Sequence, residues 1–336
     1  MARILGISKS TVSRALTGHP RVGPETRKTV LALAEELDYQ PNMMAINLVS
    51  NRSFTMGIIV PEFVTSFFPQ IVVGAQLEAA KAGYTVLVSP SNEDYLTEVT
   101  NTKVMLANRV DGIMVSLSKE TRNYDHLKIF QRKGIPIVFY NRVCNEMTVP
   151  KVIIDDYDAS YRAVEHLIKN GYKRIAHLAG PEGLPISLKR LNGYKDALIK
   201  HKIPVREELI ISYDLTLAKV AIYIKHFMGL PEPPDALFAI NDPTAIEAMK
   251  VIRSLGLRVP EDVAIVGFGN NYGSDFITPG LTTVNVPVKE IGQTAMSLLI
   301  SMVTKEPSQW KAVTKVISAE LVIRESSVPP TKQLYL

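Results

Sequence analysis

The chain has 336 residues, 46% of them hydrophobic and 21% charged, an ordinary composition for a protein with a sizeable buried core. No apolar run approaches the length of a membrane span and the Met-Ala-Arg-Ile start opens no signal-type apolar region, so a cytoplasmic protein without a membrane partner is expected. A single cysteine, Cys144, excludes an internal disulfide, the six histidines lack paired ligand spacing, and no metal or other cofactor is expected. The net charge of +5 is uneven: residues 1–52 hold seven Lys/Arg against four Asp/Glu, a modest nucleic-acid footprint rather than a basic tail.

The first fifty residues read as a helix-turn-helix. Ala2, Gly6 and Val12 stand where two crossing helices need a small residue, a turn glycine and a buried β-branched contact. Ser8 suits the N-cap of the second helix, in which Val12 and Leu16 share one face and Lys9, Ser10, Ser13 and Arg14 look outward. Short hydroxyls and cations fit a major groove, where Arg pairs bidentately with guanine; a solvated amphipathic helix with ordinary caps is the alternative. A third helix starts at Val22-Gly23-Pro24, carries Val30, Leu33, Ala34 and Leu37 at helical spacing, and ends near Asp38-Tyr39-Gln40-Pro41. A three-helix unit this small has a thin core and should depend on attachment or dimerisation. After Pro41, the segment Asn42 to Ser50 is long enough for two helical turns, with Asn42 as N-cap, and is too short to stand alone in water.

From Met56 the pattern turns to strand and helix in alternation, the mark of βαβ units. Buried strands are expected at 56–60, 85–89, 112–115, 135–140, 152–154, 174–178, 236–240, 263–267 and 282–286. Helices between them include 70–82, 159–170, 188–201, 244–255 and 291–303. The phrases Val110-Asp111-Gly112-Ile113-Met114-Val115 and Pro234-Asp235-Ala236-Leu237-Phe238-Ala239 look like counterparts in two similar halves. The fold class is therefore a small all-α helix-turn-helix domain plus an α/β core of two doubly wound parallel sheets in two lobes. The divisions fall at 1–40, 41–52 (a hinge and linker) and 53–336.

Ligands of open parallel sheets lie beyond the carboxyl ends of the strands, and two facing lobes make a cleft from those loops. That rule selects Thr65, Ser66, Phe67 and Phe68 after the first strand, Ser116 after the third, and Asn141 and Arg142 after the fourth. The second half adds Arg190, Asn241, Asp242 and the Gly269-Asn270-Asn271-Tyr272 loop. The effector set is thus Phe67, Phe68, Ser116, Asn141, Arg142, Arg190, Asn241, Asp242 and Asn270. Its amides, guanidinium and aromatic faces suit a polyhydroxylated or carboxylated small molecule. Phe67 and Phe68 could equally be core, with one of the two expected there, and Arg190 could be a helix-surface residue.

Two other classes were weighed. A dehydrogenase would need G-x-G-x-x-G before a helix, but Gly267 to Gly273 is one residue too long and Thr278-Pro279-Gly280 leads into a strand. No nucleophile elbow, Walker loop or paired catalytic carboxylate stands out, so no catalytic residue is assigned and no enzyme is expected. A solute-binding protein would share the two lobes, but would need an export signal and would not need residues 1–50.

The chain resembles the lactose-repressor (LacI-type) family of bacterial transcription regulators. The resemblance rests on Gly6 to Arg14, Pro24-Glu25-Thr26-Arg27, Tyr39-Gln40-Pro41-Asn42, Arg109-Val110-Asp111-Gly112, Arg190-Leu191-Asn192-Gly193-Tyr194, Asn241-Asp242, Gly256 to Val263 and Leu281-Thr282-Thr283-Val284, in family order. It implies an effector-responsive repressor of carbohydrate uptake or breakdown genes, acting as a homodimer on a pseudo-palindromic double-stranded operator. The DNA-binding set becomes Ser8, Lys9, Ser10, Thr11, Ser13, Arg14, Asn42 and Leu48. Leu48 matches the leucine that the family wedges into the minor groove from a hinge helix, although packing inside a linker is the rival for this residue. The resemblance also makes Arg190 the main bidentate clamp of a sugar or sugar-acid effector, with Asn241 and Asp242 beside it.

Three departures carry expectations. Family members usually begin several residues before the point matching Met1, so the first helix here is barely a turn and a half and the N-terminus is read as short. Gly269 and Asn141 stand where many members have aspartate, which should leave the Arg190 guanidinium freer and favour an acidic ligand modestly over its neutral counterpart. Arg142 is a second cation if its side chain turns inward.

Overall fold

A computed structural model describes residues 1–39 and 52–329 and divides the chain into two compact units, residues 1–53 and 54–336. Asn42 and Leu48, and with them the expected hinge, lie outside the described residues.

The first unit holds two helices, α1 (Lys9–Leu16) and α2 (Pro24–Glu36). Ser8 caps α1, its side chain accepting the Thr11 N–H at 3.0 Å, and Gly6 takes the left-handed φ of +64° that the turn requires. Residues 2–6 form only a turn, closed by Leu5 N–H to the Met1 carbonyl, in place of the expected first helix. Val12, Ala15, Val22 and Val30 form the core, with Ala2, Leu5, Ile7 and Leu16 packed on it. Leu37, expected on the buried face of the second helix, is its C-cap and 47% exposed, because α2 stops at Glu36 and the chain turns through Asp38 at positive φ.

The second unit is two lobes. Lobe 1 has a six-stranded sheet in the order β11-β5-β4-β3-β1-β2, parallel throughout. Its strands are β1 (Thr55–Val60), β2 (Thr85–Pro90), β3 (Gly112–Val115), β4 (Ile137–Tyr140), β5 (Lys151–Ile154) and β11 (Thr314–Ile317). Helices α3 (Phe67–Lys81), α4 (Tyr95–Ala107), α5 (Asp125–Arg132) and α10 (Val288–Val303) cover it. Lobe 2 has the order β12-β10-β9-β8-β6-β7, with only β12 antiparallel. Its strands are β6 (Ile175–Ala179), β7 (Ile210–Ser212), β8 (Ala236–Ala239), β9 (Ala264–Gly269), β10 (Thr282–Asn285) and β12 (Glu320–Val322). Its helices are α6 (Asp156–Lys169), α7 (Pro185–Lys200), α8 (Leu217–Met228) and α9 (Asp242–Ser254).

The runs that read as continuous apolar strands are the central ones: every residue of β3, β4, β6, β8 and β9 is buried, as a sheet covered on both faces demands. Three crossovers join the lobes, at 154–156, 285–288 and 317–320. Glycines let helices meet closely in each lobe. In lobe 1 a Cβ on Gly74 of α3 would strike the Lys289 carbonyl and one on Gly292 of α10 the Ile71 carbonyl; in lobe 2 one on Gly193 of α7 would strike the Tyr157 carbonyl of α6. Both sheets turn the carboxyl ends of their parallel strands to one cleft, and nothing helical follows β9 before β10, so residues 270–281 are loop.

Candidate functional site

In the first unit, Lys9, Ser10, Ser13 and Arg14 are exposed on α1, opposite the buried Val12 and Ala15, and Thr11 is half-buried. Ser8 is exposed too, but its Oγ is engaged by Thr11 N–H and lies 2.8 Å from the hydroxyls of both Ser10 and Thr11. Its role in the fold is the cap. Lys9, Ser13 and Arg14 are the side chains α1 leaves outward without an acceptor inside the unit.

The cleft of the second unit encloses about 610 Å³, open solvent at its mouth included, within the range of small-molecule sites. Lobe 1 contributes Thr65, Phe67, Phe68, Asn141 and Arg142; lobe 2 contributes Ser187, Arg190, Asn241, Phe268 and Asn271. Phe68 is the buried member of the aromatic pair and Phe67 the half-buried one, edge to face at 5.2 Å, and both line the cleft.

Arg190 is 6% exposed and stacks over the Phe268 ring, its Cζ 3.6 Å from the centroid. Asp156 meets it at the start of α6: one oxygen, Oδ1, accepts from Nε at 2.8 Å and from Nη2 at 2.7 Å, while Nη1 donates to the Ile240 carbonyl at 2.6 Å. The guanidinium is therefore not freed by Gly269 and Asn141. A carboxylate from the lobe crossover neutralises it, and the expected preference for an acidic ligand loses its basis. Burial pushes the Asp156 carboxyl up against the pull of Arg190 and pushes Arg190 down, with Arg142 repelling it across the cleft.

Arg142 does turn inward. It is 7% exposed, lies 5.7 Å over the Phe68 ring, and donates from Nη1 to Glu93 Oε2 at 2.7 Å. Burial raises the Glu93 carboxyl, but Arg142, together with the Lys119 N–H, outweighs it and holds the group below the usual carboxylate range. The same Oε2 accepts the Lys119 backbone N–H at 2.8 Å. Lys119 Nζ then reaches across the cleft to the Asp214 carbonyl at 3.0 Å, next to Leu215 of the cleft wall. Arg122 packs on Gly183, where a side chain would collide with the guanidinium, and Tyr272 N–H donates to Ser66 Oγ at 3.1 Å. These contacts join the lobes.

Three expected ligand contacts are occupied by the protein itself. Asp242 is fully buried, accepting from Asn271 N–H at 2.7 Å, Ser274 Oγ at 2.9 Å and Thr283 Oγ1, so it anchors the 269–274 loop and does not line the cleft. Asn270 uses both ends of its amide, donating to Asn285 Oδ1 and accepting from Arg324 Nη2, and its neighbour Asn271 lines the cleft instead. Ser116 is buried behind the cleft wall, where its Oγ receives the Arg142 N–H at 3.4 Å. Asn241 does line the cleft, but its Oδ1 caps α9 through Thr244, which leaves the Nδ2 donors for a ligand. Asn141, held at φ +56°, also lines it.

Residues 1–42 match the family described as bacterial regulatory proteins, lacI family, and residues 53–323 match periplasmic binding proteins and the sugar binding domain of the LacI family. The chain belongs to the LacI family. As a LacI-family chain it is a DNA-binding transcriptional regulator with a ligand-binding core. It is 34% identical over 321 residues to the HTH-type transcriptional repressor CytR of Escherichia coli strain K12, covering 96% of this chain and 93% of that one. It is 32% identical over 330 residues to the probable HTH-type transcriptional repressor ExuR of Bacillus subtilis strain 168, covering 97% and 96%. Among solved structures it resembles the lac repressor dimer bound to operator and the anti-inducer ONPF, with a TM-score of 0.87 at 26% identity over 97% of each chain. It also resembles a complex of the transcriptional regulator CelR with cellobiose, with a TM-score of 0.75 at 28% identity over 97% of this chain and 98% of that one.

Proposed function

We propose that this LacI-family chain is a homodimeric repressor of carbohydrate or nucleoside uptake and breakdown genes, acting on a pseudo-palindromic operator in the cytoplasm and working by binding alone, without a catalytic step. α1 reads the operator, with Arg14 to a base edge and Lys9 and Ser13 to bases or phosphates. The cleft takes the effector. The observation that carries this reading is the cleft itself: aromatic faces on one wall, amide donors of Asn141, Asn241 and Asn271, and two buried guanidiniums each met by a carboxylate of its own lobe. Such a wall suits a neutral ring compound rich in hydroxyls better than an anion, because an added negative charge would face Glu93 and Asp156. The likeness to a cellobiose-bound regulator supports the same class.

Selection of genomic DNA fragments on the full chain, followed by binding titration with and without a panel of neutral sugars and nucleosides, tests this. The expected result is a palindromic fragment whose affinity changes with one compound of the panel. Arg14→Ala should lose roughly 1–3 kcal/mol on that fragment and relax one position per half-site. Equal loss on random DNA would make Arg14 a phosphate contact.

A further inference from the structure

The two cleft guanidiniums differ in what they leave unsatisfied. Each nitrogen of Arg190 has a protein acceptor: Nε and Nη2 on Asp156, Nη1 on the Ile240 carbonyl. Arg142 places Nη1 on Glu93 and, at 3.4 Å, on the Leu117 carbonyl, but its Nε is buried and has no hydrogen-bond partner among the described residues. A buried N–H donor without an acceptor is costly, and in the wall of a ligand cavity the missing acceptor is a ligand atom. The charge of Arg142 is already balanced by Glu93, so the donor calls for an acceptor oxygen and not for an anion.

We propose that Arg142, and not Arg190, makes the direct polar contact with the effector, donating from Nε to an uncharged hydroxyl or carbonyl oxygen of a ring compound whose face lies on Phe67 and Phe68. This rests on the reading of the cleft as the effector site. Arg190 is then a positioning residue: it ties α7 to the lobe crossover at Asp156 and presents Phe268 to the cavity. Glu93 positions Arg142, and because the same oxygen holds the Lys119 N–H, a ligand seated on Arg142 steadies the strap that reaches Asp214 in the other lobe.

The test uses the full chain and five probes: D-glucose, cellobiose, cytidine, D-glucuronate and glucose 6-phosphate, scored by thermal shift and then by calorimetry. A neutral probe should bind the wild type, and Arg142→Met should weaken it roughly tenfold to a hundredfold, the range of one charge-assisted hydrogen bond. Arg142→Lys should not restore binding, since an ammonium cannot occupy the Nε position of the planar fork. Arg190→Lys should weaken it less than Arg142→Lys does. Nitrogen-15 spectra of the arginine side chains in the wild-type protein give a readout independent of folding in the variants. On adding the binding probe the Arg142 Nε–H signal, assigned by its loss in Arg142→Lys, should move while that of Arg190 stays. A larger loss in Arg190→Lys, a shift confined to the Arg190 signal, or tighter binding of an acidic probe than of its neutral counterpart overturns the assignment while leaving the cleft as the effector site. Failure of all five probes to bind the wild type counts against the effector-site reading and overturns the assignment with it.

Discussion

Each lobe brings one guanidinium to the cleft and one carboxylate to meet it at 2.7 Å, and the two pairs are built to different ends. In lobe 2 the Arg190 and Asp156 side chains keep 8% and 4% of their exposure, the guanidinium lies flat on Phe268, and burial raises the carboxyl in spite of its partner. In lobe 1 Glu93 keeps 20% of its exposure and its carboxyl is lowered, because Arg142 and a backbone N–H outweigh a smaller loss of water. A sealed pair with every donor satisfied fixes geometry; a half-open pair with a spare donor can exchange partners. Two cations facing one cavity therefore do not amount to an anion site.

The largest expected effect comes from breaking the sealed pair. Asp156→Ala leaves Arg190 charged, buried and unpaired, and should lower stability by about 3–5 kcal/mol in denaturant titration. Glu93→Ala, whose partner lies nearer to water, should lower it by about 1–3 kcal/mol. Equal losses would erase the contrast. Next is pH. His177 on β6 is fully buried between the rings of Tyr194 and Phe238; burial first, against its hydrogen bond to the Phe238 carbonyl and helped by nearby Arg190, lowers its pKa to about 4. The folded state refuses a proton that the unfolded chain takes near pH 6.5, so this contribution is complete above 6.5 and lost as pH falls toward 4. The loss should reach roughly 3 kcal/mol, and the pH slope should flatten by that amount in His177→Asn. No change of slope would mean that the lobe 2 interior tolerates charge.

Gly292→Ala in lobe 1 and Gly193→Ala in lobe 2 should each lower stability by about 1–3 kcal/mol, since the new methyl meets backbone and not a movable side-chain end. Whether either variant splits the unfolding transition in two shows how far the lobes act as separate bodies. The smallest effect is at Lys119→Met, where one half-exposed ammonium leaves one carbonyl: under about 1 kcal/mol in stability.

The central strands were legible because parallel sheets covered on both faces are written as unbroken apolar runs, and Gly6 because only a turn needs its backbone conformation. The short strands β7, β11 and β12 were missed: three or four residues, none of them buried, carry no periodic signal. The cleft was found by reading past the carboxyl ends of the first, third and fourth strands. Applied equally to the second and fifth, the same rule reaches Glu93 and Asp156, the two carboxylates that reverse the charge argument. What no spacing rule could give is the fate of a polar group once folded: Asp242, Asn270 and Ser116 stand at the right chain positions and turn to their own loops.

The strap from Ser116 to Arg122 is held by two carboxylates on successive amides, Glu98 Oε2 on Ser118 N–H at 2.8 Å and Glu93 Oε2 on Lys119 N–H at 2.8 Å. Its far end rests on Asp214 and Gly183 of lobe 2. Such a clasp separates how tightly a ligand is held from how quickly it leaves. While the lobes are joined, exit waits on their parting, so the dwell time follows the opening rate more than the contacts inside the cavity. For a regulator this acts as a low-pass filter: brief falls in effector concentration are over before the bound molecules have left, and only a sustained fall reaches the promoter.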